Sequence, residues 1–146
     1  MRIAGRWPVG DDGVTRPVPV GGVRAAEGRW ISEPVLIDSG AERTVVPAKP
    51  LTMSGLPSLA APTGLVLEGI GGECGSTAVR AVLRLICDDG RLVHLKDEFA
   101  AFTGASATDR SILGRDVLDL FDVIQSRRRD EVLLLGEDHS DRVVTI

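Results

Sequence analysis

A chain of 146 residues with 43% hydrophobic and 26% charged residues is long enough to bury a core and has the balance of an ordinary globular protein, not a disordered one. Its net charge of −4 argues against a nucleic-acid partner held through phosphate contacts. No apolar run approaches the ~18 residues that span a membrane, and the first eight residues lack the apolar stretch of a secretory signal, so no membrane partner and a cytoplasmic location are expected.

Aromatic residues make up only 3% and Tyr is absent, so the core must be built from Val, Leu, Ile and Ala. Residues 1–13 are rich in Gly, Pro and Asp, show no period, and are expected as a flexible N-terminal arm. A domain over 14–136 follows, then a C-terminal strand or tail over 137–146. Thr15 to Val23 carries alternating valines with Pro17 and Pro19, which predicts an edge strand, where proline costs no ladder donor. Trp30-Ile31 and Val35-Leu36-Ile37 continue the β pattern after a turn at Gly28. Pro47 and Pro50 break the chain after Val46, and Gly55 and Pro57 leave room for no more than a helical turn in Leu51–Leu59.

Five glycines between Gly64 and Gly75 imply a bendable turn rather than packed core. From Thr77 to Ile86 apolar residues alternate, Asp88-Asp89-Gly90 is a hairpin signal, and Arg91–Leu95 returns. Phe99–Phe102 reads as a further short strand, and Ser111–Leu113 as a compact apolar step. One short helix is expected near 115–121, with Val117, Leu118, Leu120 and Phe121 as its apolar stripe and Asp116 and Asp119 on its wet side. Phe121–Gln125 and Val132–Leu135 predict a hairpin around the solvated Arg127-Arg128-Arg129 turn, and Val143–Ile146 a terminal strand. The fold class is all-β. Cys74 and Cys87 have no neighbouring His for a metal-type set, so neither a metal nor another cofactor is expected, and free thiols are favoured over a disulfide.

One stretch stands apart. Pro34-Val35-Leu36-Ile37 is an apolar strand that delivers Asp38 into an Asp38-Ser39-Gly40 turn, and the chain leaves through Thr44-Val45-Val46. A carboxylate flanked by Leu36, Ile37 and Ala41 must be satisfied locally or used, because burying it unpaired costs several kcal/mol. Two further features follow in order: the glycine-rich Gly69-Ile70-Gly71-Gly72, and Ile112-Leu113-Gly114-Arg115-Asp116 opening the helix.

In this order the three features resemble the retropepsin-like aspartic proteases, the retroviral protease family and its cellular relatives, over about Arg16 to Leu135. The resemblance implies a small closed-barrel-like acid protease fold, one lobe per chain. It implies Asp38 as the catalytic aspartate, and Ser39 as the hydroxyl that bonds across a dimer. Gly40 and Ala41 complete the turn, and Gly114 belongs to the strand threading behind it. Glu42 and Arg115 are expected to form an ion pair bracing the active-site loop, while Gly69, Ile70, Gly71 and Gly72 resemble the flap that closes on a bound peptide. Ile37, Val45, Ile70 and Leu113 are expected to line an apolar substrate pocket.

Hydrolysis by this family uses two carboxylates sharing one proton around a water. Only one Asp-Ser-Gly occurs here, so the second must come from another copy, and a homodimer acting on peptide or protein substrates is expected. Two other readings are kept: an idle retropepsin-fold module for peptide binding or dimerisation, and a monomeric β-barrel domain of unrelated function.

Overall fold

The computed structural model describes residues 1–60, 67–69, 72–103 and 110–140. Its elements in chain order are β1 (Arg2–Arg6), β2 (Val18–Arg24), β3 (Trp30–Ile37), β4 (Val45–Val46), α1 (Ala48–Ser54), β5 (Ser58–Leu59), β6 (Leu67–Gly69) and β7 (Gly72–Cys74). They continue with β8 (Ser76–Ile86), β9 (Leu92–Phe102), β10 (Ser111–Leu113), α2 (Arg115–Leu118), β11 (Asp122–Ser126) and β12 (Glu131–Leu135), the last two joined by a 3₁₀ turn over Arg127–Arg129. The all-β expectation is met.

The long strands form as their alternation predicts. In β8 the side chains of Val79, Ala81, Leu83 and Leu85 are at most 7% exposed and point into the core. β8 pairs antiparallel with β9 from Ser76↔Phe102 to Ile86↔Leu92. The turn between them closes through Cys87 N–H to Arg91 O and Gly90 N–H to Cys87 O, with Gly90 at φ 83°. Phe99–Phe102 is thus the far end of β9 and not a separate strand. Cys87 is a free, buried thiol beside this turn.

The sheet runs β11-β12-β1-β2-β3-β10-β4-β9-β8-β5, and a further pairing of β2 with β8 closes β2, β3, β10, β4, β9 and β8 into a six-stranded barrel. Inside it, Val23, Val35, Ile37, Val46, Val79, Leu85 and Leu113 form one buried cluster. β2 is therefore not an edge: it pairs with β3 on one side, and on the other with β1 at Val18 and Pro19 and with β8 from Gly21 to Val23. Pro19 is accommodated where β2 changes partner from β1 to β8.

Two segments depart further from expectation. The first residues are not a loose arm. Arg2–Arg6 pairs with β12 and with β2, Ile3 is 0% exposed, and Trp7 donates its backbone N–H to Asp130 Oδ1 at 2.8 Å and its indole N–H to Glu131 O at 3.2 Å. The longer helix is α1, not the one near 115–121. Pro50 sits in the first turn of α1, where no intrahelical donor is required, and Gly55 ends it in the left-handed conformation at φ 62°. Val143–Ile146 lies outside the described residues.

Candidate active site

Three strands converge on Asp38. β10 threads between β3 and β4, pairing parallel with Val35–Ile37 and antiparallel with Val45. At the ends of these strands the Asp38 N–H donates to Leu113 O at 3.2 Å, and the Ala41 N–H returns to Asp38 O at 3.1 Å. The carboxylate accepts the Gly40 N–H at Oδ1 at 2.9 Å. This is the Asx geometry that an Asp-Ser-Gly turn favours. A Cβ on Gly40 would lie 3.1 Å from that same oxygen, a tight approach.

Asp38 is half-buried, and Ser39 and Gly40 are exposed. Among the described residues, no second hydrogen bond to its carboxylate is seen. The turn thus commits one carboxylate oxygen to the backbone.

The loop that follows is fastened by the start of α2. Arg115 N–H donates to Ala41 O at 2.9 Å and Asp116 N–H to Glu42 O at 3.3 Å, so free amides of the first helical turn satisfy loop carbonyls. The Asp116 carboxylate accepts the Thr44 N–H with both oxygens at 2.9 Å and the Thr44 hydroxyl at 2.7 Å. Thr44 Oγ1 in turn accepts the Gly114 N–H at 3.0 Å, and Thr44 is 1% exposed. Gly114 has no room for a side chain, since a Cβ there would lie 2.4 Å from the Arg43 carbonyl carbon. The expected Glu42–Arg115 contact is present at 3.2 Å, but the two side chains are 83% and 51% exposed, so it contributes little. Asp116, read from sequence as a residue of the wet face, makes three hydrogen bonds to this loop at Thr44. The signal was present in Thr44, a lone hydroxyl heading an apolar strand.

The remaining expected residues fall into two groups. Gly69 and Gly72 pair across the β6–β7 hairpin. Ile70 and Gly71 lie outside the described set. Ile37, Val45 and Leu113 are at most 4% exposed and belong to the interior, where Val45 and Leu113 border a small cavity. A broad groove of about 600 Å³ lies elsewhere, bounded by Arg24, Leu56, Arg80, Lys96 and Glu98, and includes no residue of the Asp38 turn. No cluster of three or more His, Cys, Asp or Glu side chains able to hold a metal occurs among the described residues. Nor is any helix among them long and apolar enough to cross a membrane.

Comparison with solved structures bears on this arrangement. The chain is similar to a retropepsin-like aspartic protease from Rickettsia conorii, with 13% identity, a TM-score of 0.54, and coverage of 92% of this chain and 90% of that one. It is also similar to EIAV protease in an inhibitor complex, with 21% identity, a TM-score of 0.53, and coverage of 71% and 86%. The fold is retropepsin-like. No protein-family model matches the sequence, and no curated protein does either. The likeness is therefore one of architecture, in which the retropepsin-like barrel carries Asp38 on the turn between β3 and β4.

Proposed function

We propose that the chain is one subunit of a homodimeric aspartic endopeptidase, with Asp38 from each copy forming a shared catalytic pair. The observation that carries this reading is the half-buried Asp38 carboxylate, held at one oxygen by the Gly40 amide on a turn fastened from behind by β10 and α2. A single carboxylate so placed is half a hydrolytic centre. Two that meet about 3 Å apart cannot both ionise, so the pair holds one proton between them, as is known for aspartic proteases.

The charged member then accepts a proton from a water lodged between them, and the water oxygen bonds to the scissile carbonyl carbon. The protonated member donates to the carbonyl oxygen. Collapse of the tetrahedral adduct breaks the C–N bond, with a proton delivered to the leaving amine. Ser39, which is exposed, bonds its counterpart loop across the twofold axis in this reading. Gly69, Ile70, Gly71 and Gly72 form the tip of a flap that excludes water over an extended peptide, gripped by main-chain hydrogen bonds.

Asp38→Asn keeps the size of the side chain and removes the ionisable group. Its rate of cleavage of a denatured protein substrate should fall at least about a hundredfold, with the far-ultraviolet circular dichroism unchanged. Cleavage at the wild-type rate would exclude the mechanism. Tight peptide binding without turnover in the wild type would favour the idle module.

A further inference from the structure

The side of β8 away from β9 is paired in two pieces, and a groove opens between them. Ala78 and Val79 pair with β5, and Leu83 to Leu85 pair with β2. Neither ladder reaches Arg80, Ala81 or Val82. Those three residues line the groove of about 600 Å³, together with Arg24, Ala25 and Ala26, where β2 turns away, and Leu56, between α1 and β5. Ligand sites commonly have volumes of ~300–1,000 Å³.

Strand alternation settles which main-chain groups face that gap. The Cys87 N–H bonds to Arg91 O across the hairpin, and the β8–β9 register runs unbroken from Ser76↔Phe102 to Ile86↔Leu92. In an antiparallel ladder every second residue turns both its N–H and its C=O to the same neighbour. Leu85, Leu83 and Ala81 therefore bond to β9, while Val82 and Arg80 turn theirs the other way, into the gap. An extended peptide that adds to a sheet edge satisfies such groups through its own main chain. The walls of the groove are fixed in advance. Ala26 N–H donates to Ser54 O at 2.8 Å and Leu56 N–H to Ser54 Oγ at 3.3 Å, and Ser54 is 0% exposed.

Side chains set the chemistry of the occupant. Ala25 and Ala81 are buried and give an apolar floor, and Leu56 and Val82 are half-buried apolar walls. Around them stand three cations, Arg24, Arg80 and Lys96, and two carboxylates, Asp97 and Glu98. Glu98 is engaged by Arg80 at 3.7 Å, and Asp97 Oδ1 by the Glu98 amide at 2.7 Å. Arg24 and Lys96 are exposed and make no ion pair among the described residues. The groove thus has an excess of positive charge in a chain whose net charge is −4. We propose that this groove is a second peptide site, apart from the Asp38 turn, which takes a short extended segment with acidic residues beside apolar ones. Its main chain pairs with Arg80 and Val82, its apolar side chains rest against Leu56 and Val82, and its carboxylates meet Arg24 and Lys96.

The test is fluorescence anisotropy with a labelled, amidated heptapeptide of alternating Val and Glu, on a chain that carries Asp38→Asn so that cleavage plays no part. This peptide should bind, and its counterpart of alternating Val and Lys should not. Arg24→Glu with Lys96→Glu should weaken binding at least about tenfold, whereas the same charge change in Arg128→Glu with Arg129→Glu, which do not line the groove, should alter it less than about twofold. In an amide-detected NMR titration the Arg80 and Val82 signals should move. Absence of binding, an equal loss in both pairs of variants, or shifts confined to the Asp38 turn would each overturn the proposal. Because Asp38 is replaced throughout, the cleavage proposed for the wild-type chain stands or falls separately.

Discussion

At Thr44 one hydroxyl serves two partners: it donates to Asp116 and accepts from the Gly114 amide, in a residue that is 1% exposed. Thr44→Val keeps the shape and strands both groups, so it should cost about 1–3 kcal/mol in urea denaturation. Glu42→Gln removes an ion pair between exposed side chains and should cost less than about 1 kcal/mol in the same experiment. The reverse order would show that the Glu42–Arg115 pair is the true brace. Burial pushes the Glu33 carboxyl above its ordinary range, with Lys49 pulling the other way. The fold therefore holds that proton more tightly than the unfolded chain does, a contribution present at low pH and lost as pH rises from 4.5 through the folded value. Glu33→Gln should melt roughly 1–3 °C above wild type at neutral pH, with the difference fading in acid; a constant difference across pH would contradict this. At this scale the turn at Asp38-Ser39-Gly40 was legible because that tripeptide favours an Asx turn at the end of an apolar strand. Asp116 was not, since an acidic residue in the first turn of an amphipathic helix looks like ordinary solvated charge. Its partner, Thr44, is 72 residues away in sequence.

Among the elements, β8 and β9 were legible because their apolar alternation and the Asp-Asp-Gly turn agree on one hairpin. β1 was hidden by composition. Only Ile3 of Arg-Ile-Ala-Gly-Arg is a large apolar residue, and its burial depends on β12, far along the chain. Long-range pairing of that kind leaves no local period. Ile3→Ala should accordingly cost about 2–5 kcal/mol, measured by chemical denaturation; a loss below about 0.5 kcal/mol would return residues 1–6 to the status of an arm. α1 was missed for a different reason. Proline was read as a breaker, whereas Pro50 in the first helical turn costs no hydrogen bond. The same partner-dependence explains β2, whose prolines signalled an edge although the barrel encloses it.

For the whole molecule, the barrel and the threading of β10 behind the Asp38 turn account for the architecture shared with the Rickettsia conorii and EIAV structures at 13% and 21% identity. Such low identity is what a fold defined by apolar pattern and a few glycines permits, since many Val, Leu and Ile combinations fill the same volume. On the proposed reading, the count of one Asp-Ser-Gly per chain makes assembly part of the chemistry, and this can be tested without knowing the natural substrate. Wild-type and Asp38→Asn chains are unfolded together, refolded as equal mixtures, and assayed on one denatured protein substrate. If each site needs both Asp38 residues, the mixture keeps about one quarter of the wild-type rate, and the rate falls with the square of the wild-type fraction. A rate of about one half, falling linearly with that fraction, would mean that each chain carries a complete site of its own.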